Sequence, residues 1–503
     1  MFGLQDRVWQ NRYRGKLDPK HGAHDTPFCE CQHHPPSRSP GLPGRPSSPV
    51  PQAWLQCADL SPQETAIHRL LNRFAQLQPG ESPGLLWSFA YFFCLLCGYY
   101  VLPPVRDEMG IQAGVGNLPW LFTATFFAML AAVPAFGWVS SRYPRGRFLP
   151  YVYLFFVANL LAFYLLFRGK VALPVITKAF FVWVSVFNLF VVSVFWSFMA
   201  DLYDTAQARR LYGCIAAGGS LGAICGPGLT TVLALPLGPV NLLLVSGGFL
   251  LAAVFCIQRL VRWSASRGGR PSSRADELVG GAIMDGIRLV AGSPYLLGIC
   301  LYVALYSTLS TFLYFQQQQI VKATIAAPEQ RTALFAALDL VVNLLTLGLQ
   351  VFAFSALLRR FGLAAGLVAV PLFSLLGFLA MGVAPTLAVL IAFGIVRRAG
   401  EFAICKPARE TLFNALSLEE KYKAKNFMDT AVYRAGDMTS GWIFTALQQQ
   451  AGLALAGISF VAAPLAAAWA ALGLWLMRQH ARIVSHAENA AAPLAAVAEE
   501  KPG

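Results

Sequence analysis

Arginine, lysine and carboxylate side chains break into otherwise apolar stretches at two neighbouring places in this 503-residue chain. Arg397, Arg398 and Glu401 lie together, with Lys406, Arg409 and Glu410 just beyond them. Lys425, Asn426, Asp429, Arg434 and Asp437 form the second group. On a helix, Arg397 and Glu401 are four apart and positioned to pair, and Arg434 and Asp437, three apart, share one face. A guanidinium grips phosphate or carboxylate through a two-pronged fork, and a lysine does so as a point charge. So many basic groups at one depth suit an anionic ligand; the plainer alternative is a set of ion pairs that only holds helices together.

Smaller sets join these candidates. Arg106, Asp107 and Glu108 end the first apolar run, where ordinary charged capping at a surface accounts for them equally well. Lys178 stands about two turns into the fourth run, with snorkelling to the surface as its structural explanation. Asp339 and Asn343, one turn apart, are placed to face one cavity. Each charge inside a membrane helix costs about 2.5 to 3.5 kcal/mol, so a chain keeps several only where they pair, snorkel or line a watery space. No phosphate-binding Gly-x-x-x-x-Gly-Lys-Ser/Thr loop, His-Glu-x-x-His or Gly-x-Ser-x-Gly occurs. No nucleophile–base set converges and no cofactor or metal is expected, so the enzyme reading ranks last. Cys29, Cys31, His33 and His34 fit no structural zinc spacing.

The elements that must position these residues are membrane helices. The chain is 56% hydrophobic and only 13% charged, whereas soluble domains carry about 25% charged residues. Twelve runs reach the length that spans a bilayer as helix. They lie near 85–105, 118–139, 148–167, 171–199, 212–235, 239–260, 294–318, 332–357, 363–384, 386–405, 427–448 and 453–477. The net charge of +14 sits mainly in the short gaps between runs, which speaks against a nucleic-acid partner and for a lipid bilayer. Loops after even-numbered runs are arginine- and lysine-rich, so the positive-inside rule places both termini in the cytoplasm of a bacterial inner-membrane protein. Most of the ten cysteines lie within apolar runs as small hydrophobes, and the Cys94-x-x-Cys97 pair sits on a membrane helix rather than in a redox motif.

Residues 1–60, rich in Pro, Gly, Ser, His and Arg, read as a disordered tail, with an alternative start codon inside it as one explanation. Residues 61–79 read as an amphipathic surface helix capped by Ser61, Pro62 and Glu64. A cytoplasmic linker at 261–293 divides two six-helix halves, 85–260 and 294–477, and 478–503 is a second disordered tail. Arginine-rich turns recur after the second run of each half, at Ser141–Arg147 and at Arg359–Gly362. Two parallel six-helix repeats make an all-α membrane protein of about 12 transmembrane helices with a major facilitator-like plan. Gly137–Arg147 loosely resembles that fold's loop between helices two and three, with Ser140 or Ser141 in place of the usual acidic residue. Gly218, Gly222 and Gly226 share a helix face ahead of Pro227. Tight helix packing is the first explanation, and a glycine–proline antiporter motif the second.

Further segments carry a resemblance to a known family. They are Gln78–Glu81, Tyr99–Asp107, Arg409–Phe413, Lys421–Asp429 and Val432–Asp437. In them the chain, over about 62–477, resembles the bacterial and plastid ATP/ADP antiporters. Pro103 stands where related sequences often carry a basic residue. The resemblance implies a facilitator-like fold and exchange of nucleotides or other phosphate compounds, an organic anion bound by the basic groups above while two halves rock about it. A facilitator-type exporter of another small molecule and a non-transporting membrane scaffold or sensor are the alternatives.

Overall fold

A computed structural model describes residues 77–78, 80–142, 145–266 and 283–499. The expected tail at 1–60, nearly all of the expected surface helix at 61–79, and the centre of the linker lie outside the described residues. Every regular element among the described residues is helical: α1 (Ser82–Gln112), α2 (Leu118–Arg142), α3 (Arg145–Arg168), α4 (Leu173–Leu202) and α5 (Thr205–Ser266). After α6 (Ile283–Gly292) come α7 (Pro294–Thr324), α8 (Pro328–Gly348), α9 (Phe354–Val383), α10 (Leu387–Gly400) and α11 (Lys406–Leu412). The chain ends through α12 (Leu418–Phe427), α13 (Tyr433–Gln449) and α14 (Leu455–Glu499).

Among the described residues, nine helices are long and apolar enough to cross a membrane. One of them, α5, has 62 residues, about three times what a bilayer core requires. It breaks at Gly238, whose φ of 75° is a left-handed conformation that a side chain would strain, and so makes two crossings. Two more crossings run from α10 to α11 and from α12 to α13, each through a π-helical turn, Glu401–Cys405 and Met428–Val432. These two carry the charged residues, and so hydropathy alone passes them over. The result is the expected twelve-helix plan.

Successive crossings alternate in direction. Turns at 113–117, 169–172, 325–327, 384–386 and 450–454 share what is here called the distal face. The first described residues and the 413–417 turn share the proximal face. Helix α1 runs to Gln112, past the expected end at 105, because Ile111 and the adjoining turn are covered by other helices. The linker is shorter than expected: α5 extends to Ser266 and α6 occupies 283–292. The last helix likewise continues from 478 to Glu499, where a disordered tail was expected.

Two apolar clusters divide the bundle. The first is built from α1, α3, α4 and α5, and the second chiefly from α7, α9, α10 and α14. In the first, an added Cβ on Gly218, Gly222 or Gly226 would stand 2.6, 2.5 or 2.7 Å from the carbonyl oxygens of Phe89, Phe93 and Cys97. That distance permits no side chain, so the glycine ladder seats α5 directly on the α1 backbone, as the packing explanation requires. At the proximal end Arg210 grips Glu81 by two hydrogen bonds, 3.0 and 3.1 Å. Burial pushes the Glu81 carboxyl up, but the bonds from Arg210, the Gln78 N–H and Gln207 outweigh it and hold it below the usual range.

Candidate functional site

Near mid-depth, α8, α10 and α13 present two arginine–aspartate pairs. Arg398 Nη2 donates to Asp339 Oδ1 at 2.7 Å, joining α10 to α8. Arg434 Nη1 donates to Asp437 Oδ2 at 3.3 Å along α13. The other Asp437 oxygen accepts from Ser307 at 2.6 Å and Thr311 at 3.3 Å, both on α7. The aspartate is thus fixed by three donors, while the arginine is held on one side only. Arg398 keeps 39% of its side chain exposed and Arg434 keeps 30%, so donors on both remain open to a ligand.

A third pair lies on α1. Arg106 donates to Asp107 Oδ1 through Nε at 2.9 Å and Nη2 at 2.7 Å, and its guanidinium stacks 5.3 Å from the Phe181 ring. Tyr314 of α7 donates to the same aspartate oxygen at 3.0 Å. Because α1 continues to Gln112, these residues stand inside the helix and do not cap its end. Tyr99 stands two turns before Arg106 on the same helix, α1, with its ring against Tyr100 at 5.0 Å. The rings of Tyr306 and Tyr433 lie 5.9 Å apart.

The proximal group is bound differently. Lys425 Nζ donates to Glu410 at 2.5 Å, and Arg409 stands 3.9 Å from Glu410 and 3.7 Å from Asp429. Lys406 approaches the Phe402 ring at 6.0 Å. The expected Arg397–Glu401 pair does not form. The backbone register is intact, since the Glu401 N–H still reaches the Arg397 carbonyl and the π turn begins only at Glu401; it is the arginine side chain that turns elsewhere. Arg397 instead lies over the Tyr306 ring at 5.5 Å and points Nη2 at the Tyr306 carbonyl, 3.4 Å away. Arg397 and Glu401 are 2% and 3% exposed. Arg397 Nε, Glu401 Oε2 and Arg409 Nε have no hydrogen-bond partner among the described residues. π turns of this kind recur at functional positions.

Two expected residues stand apart. Asn343 donates to the Ala223 carbonyl of α5 at 2.6 Å, which occupies the amide and fastens α8 to α5. Lys178 is half-buried in the second turn of α4 and has no carboxylate partner among the described residues. A narrow cleft between α7, α8 and α10, with a volume of only about 10 Å³, is lined mostly by apolar side chains with Gln317 and Arg398. Among the described residues no cluster of His, Cys, Asp and Glu could hold a metal ion.

Sequence reading placed Glu108 at a surface cap and passed over its partner Arg331; the two form the best-made ion pair among the described residues. Arg331 Nε and Nη2 donate to the two Glu108 oxygens, each at 2.7 Å. The signal was there: Pro328 opens α8, so Arg331 falls in a first turn, where the helix dipole disfavours a cation unless a carboxylate meets it.

An all-helical membrane bundle of about twelve crossings, in two packed halves with charges at its centre, has the architecture of the major facilitator fold. Comparison with solved structures bears this out. The chain is similar to a bacterial homologue of the iron transporter ferroportin in an inward-facing state, with 13% identity and a TM-score of 0.59, covering 79% of this chain and 98% of that one. It is similar to a POT family transporter, PepTSo, with 13% identity, a TM-score of 0.57 and the same coverage. The nucleoside transporter NupG gives 12% identity and a TM-score of 0.54 over 80% of this chain and 99% of that one. No family model and no curated protein matches the chain.

Proposed function

We propose that the protein is a secondary antiporter of organic anions, nucleotides or other phosphate compounds first among them. The fold supports transport, since proteins of this architecture are named as nucleoside, peptide and iron transporters. The observation that carries the anion reading is the state of Arg398 and Arg434. Each is held at mid-depth by one aspartate and keeps donors exposed. An incoming phosphate competes for those open donors and takes a fork contact that lysine does not offer. Arg106, Lys406, Arg409 and Lys425 add positive charge on either side of that depth. The two halves rock about the site, and gradients drive exchange without hydrolysis. The termini and the arginine-rich turns face the cytoplasm of the inner membrane in this reading.

A non-transporting scaffold is the second reading, favoured by the presence of an aspartate beside each central arginine. Proteoliposomes loaded with unlabelled ADP separate the two. Labelled ATP, ADP, inorganic phosphate and glucose 6-phosphate are offered outside, and counterflow is measured. Accumulation of at least one, abolished when the inside is empty, is expected. Background uptake of all four overturns the anion reading.

A further inference from the structure

We propose that Glu108 and Arg331 form a latch that holds the two halves together at the distal face and opens when that face opens. The role rests on the transport reading for its purpose, but the geometry stands by itself. Glu108, on α1, is fully buried and Arg331, on α8, is 9% exposed. Every nitrogen of the Arg331 guanidinium is used. Nε and Nη2 take the carboxylate, and Nη1 donates to the Ile325 and Ala326 carbonyls at 3.1 and 3.0 Å. Gln112 donates to Glu108 at 2.9 Å. This arrangement contrasts with Arg398 and Arg434. Those keep donors open to a ligand, whereas Arg331 offers none.

The surrounding cross-half contacts have the same placement. Tyr314 of α7 reaches Asp107 of α1 at 3.0 Å. Trp442 of α13 donates to Thr123 of α2 at 3.0 Å, and its ring packs edge-on against Trp120 at 4.9 Å. All three contacts join a helix of the first half to one of the second, and all lie toward the distal end. A buried, fully bonded pair is costly to strip of one partner but separates readily when both charges pass into water together. That is the behaviour of a two-position closure between rigid halves. Glu108 also follows Arg106 and Asp107 directly, so a ligand that draws Arg106 away from Asp107 acts one residue from the latch.

The test reads access to the centre and needs no transported substrate. Tyr99→Cys supplies a probe near the middle of α1, two turns before Arg106. Its reaction with a membrane-impermeant maleimide, above that of the parent chain with its native cysteines, is timed in intact cells and in inverted vesicles, so that the distal side is reached in either orientation. Glu108→Gln and Arg331→Gln are each expected to speed distal labelling about fivefold or more, the size of an ordinary conformational coupling. The exchanged pair, Glu108→Arg with Arg331→Glu, is expected to return it to within about twofold of the parent. Parent rates in both single variants, or an exchanged pair as open as they are, overturn the latch. Should the single variants be lost from the membrane, Arg331→Lys decides, because it keeps the charge and loses the fork. Faster labelling supports the latch, and the parent rate overturns it. A latch that behaves as expected in a protein that exchanges none of the four phosphate compounds leaves the latch standing and removes the anion reading.

Discussion

Arg434 is where binding and mere neutralisation lead to different results. If its open donors hold a phosphate, Arg434→Lys keeps the charge but loses the fork, and exchange falls about tenfold or more. Arg434→Ala strands Asp437 among Ser307, Thr311 and an apolar wall, at a cost of about 3–5 kcal/mol for an unpaired buried charge. Neutralising both residues together removes that stranded charge and restores abundance but not exchange. Counterflow by the three variants at matched membrane abundance checks this, and normal exchange by the doubly neutral protein returns Arg434 to the scaffold. At this scale residue type and spacing carried Arg434–Asp437 directly, because an i,i+3 pair is local. The partners of Arg398 and Arg331 are 59 and 223 residues away, and no spacing reveals them. The Arg397–Glu401 pairing failed because Tyr306, 91 residues away, takes the guanidinium through its ring and its carbonyl, a partner that spacing does not reveal.

Helix α5 shows how far an element is legible. Glycine at every fourth position foretold a close approach, and the structure supplies the partner, the α1 carbonyl row. Gly222→Ala puts a methyl 2.5 Å from the Phe93 oxygen and is expected to cost about 1–3 kcal/mol as overpacking. Gly213→Ala, with nothing within 4 Å of the added carbon, is neutral or gains up to about 1 kcal/mol in helix propensity. Thermal unfolding of both variants in detergent checks the contrast, and equal midpoints contradict the ladder. Hydropathy gave the existence of most of the crossings but not their ends. It overlooked the seven residues by which α1 outruns 105 and the extension of α14 past 477, because both ends are too polar for a hydropathy window.

For the whole molecule, the sequence shows charge asymmetry and the structure shows alternation, and together they predict orientation. A reporter phosphatase fused after Ala326 is expected to be active, as only a periplasmic enzyme is, and one fused at Arg270 inactive. A fluorescent protein should show the reverse. The opposite pattern inverts the topology and turns the distal latch toward the cytoplasm. The two-half plan was readable from recurring arginine-rich turns, a repeat in sequence. The contacts between halves were not, since Glu108–Arg331, Asn343–Ala223 and Thr123–Trp442 join segments with no sequence relation.

The two crossings that carry most of the charge are also the two that hydropathy does not count among the membrane helices. Each charge resists insertion by about 2.5 to 3.5 kcal/mol, and α10–α11 alone carries Arg397, Arg398, Glu401, Lys406, Arg409 and Glu410. Asp339 is already made when Arg398 emerges, but other partners arrive later in synthesis: Lys425 meets Glu410 and Asp429 meets Arg409 only after α12 has emerged. The expected consequence is that α10–α11 enters the bundle together with its hairpin mate. A ribosome stalled near residue 417 would leave an intermediate that still lacks Asp429 and Lys425, exposed to membrane quality control at that one stage of the chain's growth.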